Sequence, residues 1–107
     1  MRLPNPDQAL IDIRKLRDYS LNLNHRRGKH KARLFLSILG LRAEDAIELE
    51  QAIRIAIQTH EAIPKSLDQW GQRYQVDFPL QRGSAVATIR TTWIISPNEE
   101  IPRLTSC

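Results

Sequence analysis

A single cysteine, Cys107 at the last position, leaves no partner for an intrachain disulfide and no cysteine-based metal site. No apolar run approaches the roughly 18 residues that cross a bilayer. The opening MRLPNPDQALID lacks the apolar core of a signal peptide. No Gly-rich phosphate loop, HExxH or GxSxG motif occurs, which removes P-loop, zincin and serine-hydrolase chemistry. Ser20, Ser37 and Ser66 have no nucleophile context. The acidic block Glu44, Asp45, Glu48 and Glu50 has no histidine beside it and reads as a surface face rather than a metal cluster. There is no internal repeat and no low-complexity tract. These absences predict a cytoplasmic chain with no membrane segment, no metal and no cofactor.

What is present is unevenly spread charge. The chain of 107 residues carries a net charge of +4, with 16 Lys and Arg against 12 Asp and Glu. Half of those cations (Arg14, Lys15, Arg17, Arg26, Arg27, Lys29, Lys31 and Arg33) fall between positions 14 and 33, opposed only by Asp18. Such a concentration focuses a positive field on one region and attracts nucleic acid or acidic proteins. A solvated pair of basic helices accounts for the same composition.

The hydrophobic pattern changes period once. LPNPDQALID, with two prolines, predicts an extended or turn-like lead-in. Asp12 caps a short helix over about 13–21, with Ile13, Leu16 and Ser20 on one face. NLNHRRGK then predicts a loop. A second helix is expected over about 30–39, with Ala32, Phe35, Leu36 and Leu39 inward and Gly40 just past its end. A third is expected over about 43–60, with Ala46, Leu49, Ile53, Ala56 and Ile57 inward. His60 closes its last turn.

After Pro64 the period becomes two. QRYQVDFPLQ places Tyr74, Val76, Phe78 and Leu80 on one face and Arg73, Gln75, Asp77 and Pro79 on the other. Across an RGS turn, AVATIRTTWIIS shares a face among Ala85, Ala87, Ile89, Thr91, Trp93 and Ile95. RLTSC predicts a short closing strand and EAIPKS a weaker edge strand. The expectation over residues 1–107 is a single α+β domain. About three N-terminal helices pack on one face of a small antiparallel sheet of three to four strands, and the other face stays open.

Two groups carry candidate chemistry. Cleaving RNA without metal needs a base for the 2′-hydroxyl proton, an acid for the leaving oxygen and cations over the phosphate. In the loop and the helix after it, His25 and His30 are the proton carriers, with Arg27, Lys29, Lys31 and Arg33 as phosphate ligands or a solvated basic face. On the sheet, Arg90 is unusual in a strand as apolar as ATIRTTWII. It is either a phosphate clamp with Arg73 and Arg103, or half of a cross-strand ion pair with Asp77. Tyr74 or Thr91 supplies a hydrogen-bond donor nearby. Trp93 belongs in the core, while Trp70 is open to a stacking role.

The segments LPNPDQALIDIRKLRDYSLNLNHRRGKHKARLF, WGQRYQVDFPL, TIRTTWII and IPRLTSC resemble a bacterial domain family of unassigned function. The likeness runs from Leu3 to about Ser106. Its motifs are an Asn-His pair and a Gly (Asn24, His25, Gly28) before K-A-R-hydrophobic-F (Lys31, Arg33, Phe35). G-x-R-Y (Gly71, Arg73, Tyr74), R-T-x-W (Arg90, Thr91, Trp93) and P-R-L-T (Pro102, Arg103) follow. Members occur beside genes for small antitoxin-like proteins and as C-terminal domains of polymorphic toxins. That setting resembles the small RNase toxins of the barnase–EndoU–colicin–RelE type. The chain departs from the family at Arg26, where members often have Pro. Members also often extend a few residues past the final strand, which puts a role for Arg103 in doubt. Fold alone does not fix function.

The residues and the resemblance together predict a toxin-like, metal-independent endoribonuclease with His25, or in its place His30, and Lys31, Tyr74, Arg90 and Thr91 at its centre, His30 being read from the loop chemistry and not from the resemblance. RNA would be the substrate and a small antitoxin-like protein the partner. The alternative is a non-catalytic module that docks nucleic acid or an acidic partner through the basic N-terminal region. A third reading is an interaction domain whose open sheet edge pairs with another chain.

Overall fold

The computed structural model of the protein describes residues 1–107. Helical spacing becomes helix in three places, all before the first strand and mainly in the N-terminal half. Asp12 accepts a hydrogen bond from the Arg14 N–H through Oδ1 at 3.0 Å, the expected cap. The turn behind it widens into a five-residue π-helix, Leu16–Ser20, that buries Leu16 and Ser20. Helix α1, Lys29–Leu34, runs on as a second π turn over Phe35–Leu39. It stops at Gly40, whose φ of 68° takes the chain out of the helix at no steric cost.

Helix α2, Ala46–Thr59, follows a 3₁₀ turn at Ala43–Asp45. The Asp45 carboxylate reaches back to accept the Arg42 N–H at 2.9 Å. All five residues expected to face inward from α2 are buried: Ala46, Leu49, Ile53, Ala56 and Ile57. His60 closes the helix with Nδ1 3.1 Å from the Ala56 carbonyl.

Four strands follow in a simple antiparallel meander, order β1-β2-β3-β4: β1 Ala62–Asp68, β2 Gly71–Arg82, β3 Ala85–Ile95 and β4 Arg103–Ser106. The weak edge pattern is therefore a strand, and longer than its sequence suggests. Its ladder shifts between Pro64 and Leu67 and resumes to pair Asp68 with Gly71. Trp70 consequently sits at the tip of a tight β1–β2 turn, 64% exposed.

The period-two faces fall as the alternation requires. Val76, Phe78, Ile89, Thr91 and Trp93 are buried under the helices. Arg73, Gln75, Asp77, Arg90 and Thr92 alternate onto the other face. Inside, the Trp93 Nε1–H donates to the Thr91 hydroxyl at 2.9 Å, and that hydroxyl donates to the Val76 carbonyl at 2.8 Å. A threonine belongs in this core because a buried indole N–H without an acceptor costs about 1–3 kcal/mol.

The N-terminal lead-in is tied to β4. Leu10 donates its N–H to the Pro102 carbonyl and accepts from the Leu104 N–H, both at 2.9 Å, in a short parallel bridge. No helix is long and apolar enough to cross a membrane.

Candidate nucleic-acid interface

The loop that carries the first histidine is closed by its own side chains. Asn22 Oδ1 accepts the Asn24 N–H at 2.9 Å, and the His25 N–H bonds the Asn22 carbonyl at 3.2 Å. His25 Nδ1 then accepts two backbone hydrogen bonds, from Arg27 at 3.0 Å and Gly28 at 2.9 Å. Acceptance from residues two and three places ahead is the pattern of an N-cap, a position usually given to Asn, Asp or Ser. With Nδ1 accepting, the ring proton of the neutral imidazole sits on Nε2. The ring rests on Tyr19, with centroids 4.5 Å apart. Gly28 lies so close to Tyr19 that a Cβ there would stand 2.3 Å from the Tyr19 carbonyl oxygen. This loop can hold its shape only with glycine at that position.

The geometry thus turns His25 from a free proton carrier into a capping residue with one open nitrogen. His30 is exposed in the first turn of α1 and makes no side-chain hydrogen bond.

Every sheet arginine, by contrast, has a carboxylate. Arg90 faces Asp77 in register and holds it through two hydrogen bonds of 3.2 and 3.1 Å. That hydrogen bond, with the attraction of the same carboxylate, raises the Arg90 pKa above its ordinary value. Arg73 lies 3.6 Å from Asp68, and Arg103 lies 3.7 Å from Glu99. Of the two possibilities for Arg90, the cross-strand pair is the one the structure holds.

Tyr74 and Thr91 do not join these arginines. Both alternate onto the inner face, where Thr91 is fully buried and committed to Trp93 and Val76, and Tyr74 packs against the core. The sheet itself separates them from Arg73 and Arg90. Strand parity carries this: position 91 cannot share a face with position 90.

The cations without a carboxylate within 4.0 Å are Lys15, Arg26, Arg27, Lys29, Lys31, Arg33, Arg42 and Lys65. Six of the eight lie between positions 15 and 33. Arg14 and Arg17 in the same stretch are neutralised by Asp12 and Asp18.

Lys31 occupies a special place among the unpaired six. It is half-buried at the junction of two surface grooves. The first, of about 350 Å³, runs between α1 and its continuation on one side and β3 on the other, with Arg90, Thr92 and Ser106 on its polar wall. The second, of about 480 Å³, is lined by Asp12, Arg14, Lys15, Tyr19, Ser20, Thr105 and Ser106 as well as Lys31. Between them stands a hydroxyl cluster, with Thr92 Oγ1 2.6 Å from both Thr105 Oγ1 and Ser106 Oγ. Burial pushes the neighbouring Cys107 thiol up to about 12, against a smaller opposing pull from Lys31.

Of the residues named from sequence, Lys31 and Arg90 are brought into one groove. His25 lines neither groove. Thr92, Thr105, Ser106 and Lys15 complete the groove walls. Thr92 shares the parity of Arg90 and was legible on that ground. Thr105 and Ser106 depend on how β4 meets β3, which alternation does not give.

The molecule so defined is a small α+β protein with an open sheet face and an unneutralised basic flank. It belongs to the family described as Domain of unknown function (DUF6883), whose model matches residues 2–107. No curated protein and no solved structure matches the chain.

Proposed function

We propose that this protein docks the phosphate backbone of RNA on the flank formed by Lys15, Arg26, Arg27, Lys29, Lys31 and Arg33. The single observation behind this reading is the contrast in charge pairing. Carboxylates engage the sheet arginines, and none engages these six cations. Cations left free on one surface release counterions when they meet phosphates, which makes backbone binding favourable and strongly salt-dependent. Phosphate contacts of this kind position a strand without reading its sequence. The Lys31 grooves give the strand a path from the flank toward the hydroxyl cluster.

The experiment is fluorescence anisotropy with a labelled single-stranded RNA across a salt series, using the full chain. Binding that weakens steeply with salt supports the reading. Binding to an acidic protein but not to RNA overturns it.

A second reading, metal-independent RNA cleavage by a toxin-like protein of a two-gene module, is favoured by one arrangement. An unpaired, half-buried lysine and an arginine share one groove with the Thr88, Thr92 and Ser106 hydroxyls. The family resemblance adds the toxin-like setting and a small antitoxin-like partner, and the sequence reading adds a cytoplasmic place of action. In this reading Lys31 and Arg90 neutralise the phosphate as the 2′-oxygen attacks, giving a cyclic phosphate and a free 5′-hydroxyl. Proton transfer falls to His25 through Nε2, since Nδ1 is engaged, or to His30. Gel analysis of RNA incubated with the protein in EDTA tests it. Fragments lost on Lys31→Ala support cleavage, and intact RNA under all conditions removes it.

A further inference from the structure

β4 is much shorter than the strand it pairs with. It meets β3 only at Thr92, Trp93 and Ile94, so Ala85–Thr91 have no strand on that side. The direction of their backbone groups follows from the tight turn at Gly83–Ser84. A two-residue turn closes on a bonded pair, here Arg82 and Ala85, and bonded pairs then recur at every second position. Ala87, Ile89 and Thr91 therefore bond β2. Val86, Thr88 and Arg90 turn their N–H and C=O groups outward. Pro79, which has no N–H to give, sits opposite Thr88 at a non-bonded position, as this count requires.

These outward groups open into the groove beneath α1. Its far wall carries Leu34, 60% exposed, and Ile38, 46% exposed. Lys31 stands toward the β4 end, where this groove meets the second one; no Asp or Glu lines this groove, and Asp12 in the second is held by Arg14. An unpaired strand edge beside apolar side chains, with Lys31 unpaired at one end while Arg90 is held by Asp77, has the form of a site for strand addition.

We infer that the β3 edge receives an extended segment of a partner protein, running antiparallel to β3 as a continuation of β4. Its N-terminal end carries an acidic side chain against Lys31, and alternate apolar side chains lie against Leu34 and Ile38. A second copy of this chain is the poorer occupant, because its own edge, AVATIR, offers no carboxylate to Lys31. The inference does not rest on the RNA reading: the two share Lys31, but strand addition uses the β3 backbone groups, which phosphate docking does not engage.

The test is hydrogen exchange by NMR on the full chain with a capped peptide of sequence Glu-Thr-Val-Thr-Val-Thr, in which the acidic and apolar side chains share one face. Exchange should slow at the amides of Val86, Thr88 and Arg90 and nowhere else on the sheet. Lys31→Glu should weaken this peptide at least about tenfold and favour the Lys-Thr-Val-Thr-Val-Thr peptide instead, a reversal that misfolding cannot imitate. No protection at those three amides with millimolar peptide overturns the strand-addition site. Protection that appears with rising protein concentration in the absence of peptide assigns the edge to a second copy and overturns the proposed occupant. Loss of RNA binding with peptide protection intact would fall on the RNA reading alone.

Discussion

The arginines of the sheet and the cations of the loop and first helix carry the same charge in opposite surroundings. In a ladder the residue across the strand is fixed by register, so Asp77 is held opposite Arg90 whatever the rotamers do. Between Asp18 and Glu44 the chain contains no carboxylate at all, and Lys29, Lys31 and Arg33 have no local partner. One region spends its charge on internal complementarity and the other leaves it facing outward. Residue type alone does not separate these two uses. The neighbour does.

The largest expected break in the comparison lies in the scaffold of the basic loop. Gly28→Ala forces the Tyr19 carbonyl to move, at a cost of about 3 kcal/mol, read as a fall in the thermal midpoint. Because that shift displaces the flank, RNA affinity should fall with it. On the sheet, Thr91→Val leaves the Trp93 N–H without its acceptor and costs about 2 kcal/mol by urea unfolding. RNA affinity of the folded protein should not change, since Thr91 lies on the buried face. Thr91→Ser should restore the loss.

His25 sharpens the boundary between structure and chemistry. His25→Ala removes the acceptor of two N–H groups and costs about 1 kcal/mol. His25→Asn, which can cap the same turn, should recover most of that stability. If RNA is cleaved through His25, the Asn variant recovers the fold without the activity, and the two roles separate.

The smallest expected effect concerns Asp12, whose pKa is lowered to about 2, chiefly by its side-chain hydrogen bond to Arg14. Its ordinary value is 3.8. Between those values the unfolded carboxyl takes a proton that the folded one refuses, so stability rises with pH there. The contribution is complete above about pH 4 and lost as pH falls through 2. Asp12→Asn should flatten the acid limb of the stability curve in that window, with a small loss of stability at neutral pH that vanishes as pH falls through 2.

Much of this molecule is legible in the order of its residues. The inward set of α2 and the two faces of β2 and β3 follow directly from period 3.6 and period 2, because one face must be dry. The cap at Asp12 and the stop at Gly40 follow from local chemistry. The site is less legible. Histidine at position 25 has the residue type of a catalyst, and only the atoms around Nδ1 reveal a cap. Thr91 could be excluded from the arginine face by counting, whereas Thr105 and Ser106 could not be included, since a four-residue strand has too little pattern to fix its register. The junction at Lys31 depends on where a short helix crosses a strand edge, and no sequence period encodes that.

The central claim is that the unpaired flank, and not the paired sheet arginines, meets RNA phosphates. It is tested most directly by the slope of log affinity against log salt for wild type and two triple variants. Arg27→Ala with Lys29→Ala and Arg33→Ala should lower the magnitude of that slope by about 2–3. Arg73→Ala with Arg90→Ala and Arg103→Ala should leave it within about half a unit of wild type. A slope that collapses in the sheet variant and survives in the flank variant would contradict the account.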